Sequence, residues 1–161
     1  GRGDTFSRDD VIEGHLGAFL GGGYGTTGHK PASKCGHYFW GGFRPDEHTA
    51  APHLGWLREM IDAHIAFWTM RPVPPEKTIF RAAPESARAM VSADGREAVL
   101  GTREAAERIV ADLPNGTWRI ARYDVVTMEE KVLADGAEGR FAFAAPASRA
   151  VLFHFKCLGG K

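Results

Sequence analysis

The sequence predicts an α+β chain in two parts: a partial β/α segment (helix, short strand, loop, helix) and then an antiparallel β-sandwich. Three observations carry this expectation. Two apolar stripes at helical spacing flank a glycine-rich middle in the first part. A proline cluster, "MRPVPPEK" at residues 70–77, interrupts the helical pattern and reads as an extended linker. Short runs separated by Asp-Gly and Asn-Gly turns fill the remainder. The break gives one unit at residues 1–71 and a second at residues 72–161.

Ser7 opens the first helix, with Asp10 three residues on in a capping-box arrangement that has Asp in place of Glu. Val11, Ile12, His15, Leu16, Phe19 and Leu20 follow at helical spacing. Gly21 to Gly23 end the helix, because glycine takes a left-handed turn without a Cβ penalty. Tyr24 to Thr27 read as a short strand whose small residues suit a crowded barrel interior or the approach of a ligand. The second helix spans about Thr49 to Trp68, with Thr49 as N-cap and Pro52 in the first turn. Leu54, Leu57, Ile61 and Ile65 form its apolar stripe. Helix, strand, loop and helix is the order of the closing units of an alternating β/α fold.

In the second unit, Asp94-Gly95 sits inside "ARAMVSADGREAVLG" and marks a hairpin. "AERIVADL" fits helix or strand. "PNGTWRIARYDVV" opens on Asn115-Gly116 and alternates through Trp118 and Ile120. "KVLADGAEGRFAFAAP" supplies further short strands. In "RAVLFHFK", Val151, Phe153 and Phe155 point one way, and Leu152 and His154 the other. Short strands with turn signals at this spacing read as a sandwich.

Composition narrows the function. The chain has 161 residues, 43% hydrophobic and 25% charged, the profile of a globular protein. Lys+Arg and Asp+Glu are both 20, which argues against a nucleic-acid partner. No apolar run approaches the roughly 18 residues of a membrane span, so no membrane partner is expected. The opening "GRGDTFSRDD" has neither a charged-then-apolar leader nor an initiator Met, as in a processed or excised piece, and the compartment stays open. Two cysteines, Cys35 and Cys157, make no disulfide scaffold, and their pairing stays open.

The stretch "LGGGYGTTGHKPASKCGHYFWGGF", Leu20–Phe43, concentrates the chemistry. His29, Cys35, His37, His48 and His53 are metal-ligand types, but their spacings match no compact ligand pair, and no metal set is assigned. "GGGYGTTGHK" fails as a phosphate loop, because His29 separates Gly28 from Lys30 and the glycines follow a helix. Cys35 with His37 or His29 is a nucleophile arrangement without a geometric warrant. A sugar site fits the whole stretch best. Tyr24, His29, His37, Trp40 and Arg44 supply aromatic faces and polar tips for a carbohydrate.

The run "SRDDVIEGHLGAFLGGGYGTTGHK…YFWGGFRPDEHTAAPHLGWLREMI" resembles the last β/α units of cellulase-like glycoside hydrolases with a (β/α)8 barrel. In that family a helix leads into a glycine-rich final strand, G-G-Y-x-x-H-G-E, then a tryptophan-and-glycine loop and a closing helix with a Leu-Arg pair. Here Gly22-Gly23-Tyr24, Trp40-Gly41-Gly42 and Leu57-Arg58 match, whereas "TTGHK" inverts His and Gly and puts lysine at the acid position. The second unit is similar to the small β-sandwich that follows the barrel, with Asp124 and Met128 retained from a D-x-W-x-M-T signature and the tryptophan missing.

The resemblance implies the C-terminal part of a glycoside hydrolase, with carbohydrate as partner and no cofactor. A (β/α)8 barrel takes about 250 residues and catalyses at its strand C-termini, and a retaining mechanism needs two carboxyls about 5 Å apart. The resemblance puts those acids on strands this chain lacks, so no catalytic residue is assigned, and Asp4, Asp46 and Glu47 read as surface groups. The alternative is a carbohydrate- or protein-binding module without chemistry. An incomplete barrel also exposes an apolar face, so the closing helix is expected to pack on the sandwich, or chains to self-associate.

Overall fold

The computed structural model describes residues 7–23 and 49–159. Ser7 caps α1 (Arg8–Leu20) as its spacing to Asp10 predicts. Its Oγ accepts from the Asp10 N–H at 3.2 Å, and the Asp10 carboxylate accepts from the Ser7 N–H at 2.7 Å. Val11, Ile12, Leu16 and Leu20 form the buried edge of this helix.

The second helix, α2 (Ala51–His64), is shorter than the periodicity suggests. Ala50 is its N-cap and makes no side-chain bond, so Thr49 does not serve. It stops at His64, not Trp68, because Ile65 turns extended and carries its side chain into the core. The Ala66 N–H then donates to the Glu97 carboxylate at 3.3 Å instead of continuing the helix. Phe67–Thr69 is a 3-10 turn.

The expected linker is partly a strand. β1 (Met70–Val73) pairs antiparallel with β3 (Arg88–Ser92) at the edge of a sheet, where Pro72 costs no ladder bond to an outer neighbour. The other strands are β2 (Phe80–Arg81), β4 (Glu97–Thr102), β5 (Ala106–Asp112), β6 (Thr117–Asp124), β7 (Glu129–Ala137), β8 (Arg140–Ala145) and β9 (Val151–Gly159). The ambiguous "AERIVADL" is therefore strand β5, and a register shift between Ala106 and Ile109 is what breaks its period.

The larger sheet has the order β1-β3-β4-β9-β6-β7 and the smaller one β2-β5-β8, with every pair antiparallel. The described chain is thus α+β, with antiparallel sheets and two helices. The strand expected at Tyr24–Thr27 lies outside the described residues.

Alternation along the strands of the larger sheet feeds two cores. On one face Val99, Ala121, Tyr123 and Leu152 meet Ile12, Leu16, Leu57 and Ile61 of the helices. On the other, Leu100, Ile120, Phe153 and Phe155 meet Phe80, Ile109 and Phe143 of the smaller sheet. The rings there interlock, with Phe80–Phe155 centroids at 5.1 Å and Phe143–Phe153 at 4.7 Å. Each such buried side chain contributes about 1.5–3 kcal/mol.

The turn into β6 is demanding. Gly116 has φ of 130°, and a Cβ there would stand 2.6 Å from the Gly159 carbonyl oxygen. Gly95, at φ of 69°, has open space around it. Gly116→Ala should therefore cost about 1–3 kcal/mol in urea denaturation, and more than Gly95→Ala. Equal losses would show that the close approach to Gly159 carries no energy.

Candidate functional site

Tyr24, His29, His37, Trp40 and Arg44 lie outside the described residues, as do Cys35, His48, Asp4, Asp46 and Glu47. The structure describes the frame beside them. Gly22 and Gly23 line a cleft of about 840 Å³ between the two helices and the Phe67–Thr69 turn. Its walls include Phe19, Leu57 and Phe67, and its polar groups are His15, Arg58 and Asp62. Phe67 stands edge-on to Phe19 at 6.3 Å and to Trp68 at 5.4 Å. Trp68 itself is 71% exposed, a large flat apolar face presented at the cleft. Such a surface can stack a ring or seat another apolar face. The Arg58–Asp62 pair at 3.5 Å is exposed on both sides and contributes little to stability.

The signature "YDVVTM" turns out to build a corner. The Asp124 Oδ1 accepts from the Val126 N–H at 3.0 Å, the Thr127 N–H at 3.2 Å and the Ser148 hydroxyl at 3.1 Å. Met128 takes a left-handed φ of 57°, which closes the turn into β7. The corner also holds α2. His53 is buried with Nδ1 3.0 Å from the Val125 carbonyl oxygen, so this candidate metal ligand already has a structural partner. His64 stacks on Tyr123 at 5.8 Å and Trp56 approaches the same ring at 6.4 Å. Burial, with the charge of Glu130, pushes the Tyr123 phenol up to about 12, so it stays neutral.

Sequence reasoning missed one buried pair. His154 Nε2 donates to Glu97 Oε1 at 2.7 Å, and both side chains are buried. The signal was a histidine in the otherwise apolar "VLFHF", whose partner lies 57 residues away. Burial by itself pushes the Glu97 carboxyl up. The His154 hydrogen bond and charge, with the Ala66 N–H, outweigh it and hold the carboxyl below its ordinary value.

Several other described carboxylates also act as structural acceptors. Asp94 accepts from the Ser92 hydroxyl at 2.6 Å, Asp112 pairs with Arg140 at 2.9 Å, and Asp10 and Glu13 each meet Arg149 at 2.6 Å. Among the described residues, Asp62 is the one carboxylate that lines the cleft. Cys157 is half-buried and has no disulfide partner among the described residues.

No protein-family model and no curated protein sequence matches this chain. Solved structures do match in fold. One, a glycoside hydrolase, superposes with a TM-score of 0.67 at 13% identity, over 94% of this chain and 37% of its own. Another, a family 5 enzyme from Bacteroides vulgatus, gives 0.69 at 10% identity, over 98% of this chain and 37% of its own. Both neighbours are glycoside hydrolases. At these identities the likeness is one of fold, and this chain spans about 37% of each neighbour's length. The fold described here is similar to part of a glycoside hydrolase chain.

The buried pair makes a pH prediction. A depressed carboxylate contributes stability that is present above its unfolded value, ordinarily 4.5, and is lost as pH falls through the lower folded value. Glu97→Gln should be destabilised at neutral pH by about 1–3 kcal/mol. That deficit should shrink in denaturant titrations carried from pH 7 to below the carboxylate range. A deficit constant over the whole range would mean that charge plays no part.

Proposed function

We propose that this chain is the C-terminal portion of a glycoside hydrolase that acts on a polysaccharide or glycoside. It contributes one wall of the sugar cleft and an accessory β-sandwich, and the catalytic carboxylates belong to another part of the enzyme. The observation that carries this reading is the pair of superpositions, which take nearly all of this chain and only 37% of each glycoside hydrolase. Two features support it. The two sheets share one apolar core, as the layers of a sandwich do. The described cleft has a single lining carboxylate, Asp62, where a retaining glycosidase requires two.

In this reading residues 1–71 are the closing β/α units of a TIM-type barrel, residues 72–161 are the sandwich, and the rest of the barrel covers the apolar cleft and Trp68. In isolation that face drives self-association. Tyr24, His29, His37, Trp40 and Arg44 are the sugar contacts. A binding module without chemistry is the second reading, favoured by the exposed Trp68 at a cleft with one carboxylate.

The isolated polypeptide is expected to give no turnover on aryl glycosides or plant polysaccharides. On a glycan array it should bind with an affinity that Trp40→Ala weakens at least tenfold, about 1.4 kcal/mol, without loss of fold. Robust hydrolysis abolished by Asp46→Asn or Glu47→Gln would contradict the assignment of catalysis to another part.

A further inference from the structure

A second, smaller cavity lies on the other side of α1, at the ends of β3 and β4. It holds about 200 Å³. Its lining brings together three arginines from separate places in the chain: Arg88 at the start of β3, Arg103 just after β4 and Arg149 just before β9. Gly101 and Thr102 lie between them on the β4 side, and Ser86 and Glu13 complete the polar groups.

The charge does not cancel. Among the described residues Glu13 is the single lining carboxylate, and it is already held from two sides, by Arg103 at 3.0 Å and by Arg149 at 2.6 Å. Arg149 also reaches Asp10 at 2.6 Å. Arg88 has no carboxylate partner among the described residues, and its Nη1 donates to the Glu85 and Ala87 carbonyls at 3.1 and 2.8 Å. Those two bonds hold the guanidinium in place, with no counter-ion among the described residues. Among the described residues three guanidiniums face two carboxylates, an excess of positive charge.

Ser86 supplies the second, independent observation. Its Oγ is buried and has no hydrogen-bond partner among the described residues. A buried hydroxyl left unpaired is costly. Ser86 is also one of the residues that line the cavity. Thr102, by contrast, is fully used: its hydroxyl donates to the Glu104 carbonyl at 3.0 Å and accepts from the Glu104 N–H at 3.1 Å.

We propose that this cavity binds a compact oxyanion, phosphate or the carboxylate of a sugar acid, with Arg88 and Arg103 supplying charge and Ser86 a hydroxyl donor. Planar guanidiniums suit the oxygens of such groups. The cavity falls below the range of about 300–1,000 Å³ that holds a whole small-molecule ligand, which favours a single head group. The site is separate from the Trp68 cleft and stands whether or not that cleft binds sugar.

The test is a titration of the isotope-labelled protein with inorganic phosphate, and separately with glucuronate, at ionic strength held constant with sodium chloride. Amide shifts of Ser86, Gly101 and Arg103 are followed by NMR. Saturable shifts with at least one of the two anions are expected, and the tighter one identifies the head group. Ser86→Ala should weaken that binding several-fold while leaving the thermal midpoint unchanged or higher, since the lost hydroxyl has no partner among the described residues. Arg103→Gln should weaken it at least tenfold. Absence of saturation with both anions, or equal binding by the two variants and the parent, would overturn the proposal.

Discussion

Strand β9 must satisfy two cores at once, and the rest of the fold is arranged around that requirement. It lies between β4 and β6 in the larger sheet, and Val151, Leu152, Phe153 and Phe155 are all fully buried. Side chains on a strand alternate, so Val151, Phe153 and Phe155 enter the core between the sheets, while Leu152 and His154 face the helices. A slip of one residue would exchange the sets and put an imidazole among phenylalanines. It would also leave the Glu97 carboxylate buried without its partner. The Glu97–His154 bond thus specifies register as well as adding stability.

The helices are fastened to that strand's surroundings at several points. The Glu97 carboxylate that holds His154 also receives the Ala66 N–H, which fixes where α2 ends. The Asp124 corner anchors His53 at the other end of α2 through the Val125 carbonyl. Arg149, just before β9, clamps α1 through Asp10 and Glu13. Each surface pair is weak alone. Together with the apolar contacts they make the helices and the larger sheet share one core.

Much of this was legible in local pattern. The Ser7–Asp10 capping box, the Asp94-Gly95 and Asn115-Gly116 turns and the alternation of Val151–Phe155 each follow from neighbouring residues, and each appears as read. Errors arose where tertiary contacts override local preference. Helical periodicity runs through Ile65, but burial of Ile65 and the Ala66–Glu97 bond end the helix first. The proline run looks like a linker, but an edge strand tolerates Pro72. The arginine cavity was invisible because Arg88, Arg103 and Arg149 converge only when β3, β4 and the segment before β9 are brought together. The five sugar-site residues, Tyr24, His29, His37, Trp40 and Arg44, lie outside the described residues and were legible only as residue types in a glycine-rich stretch.

The two structural neighbours are glycoside hydrolases of similar fold. They share an arrangement of layers at 10–13% identity, and arrangement alone permits many activities. What the chain itself shows is an architecture whose stability depends on a doubly buried central strand. Native-state hydrogen exchange tests that most directly. Amides of Leu152 to Phe155 should exchange only through global unfolding, at the same free energy as those of β4 and β6, and well behind the edge strands β1 and β7. Faster exchange in β9 than in β5 or β8 would contradict the account.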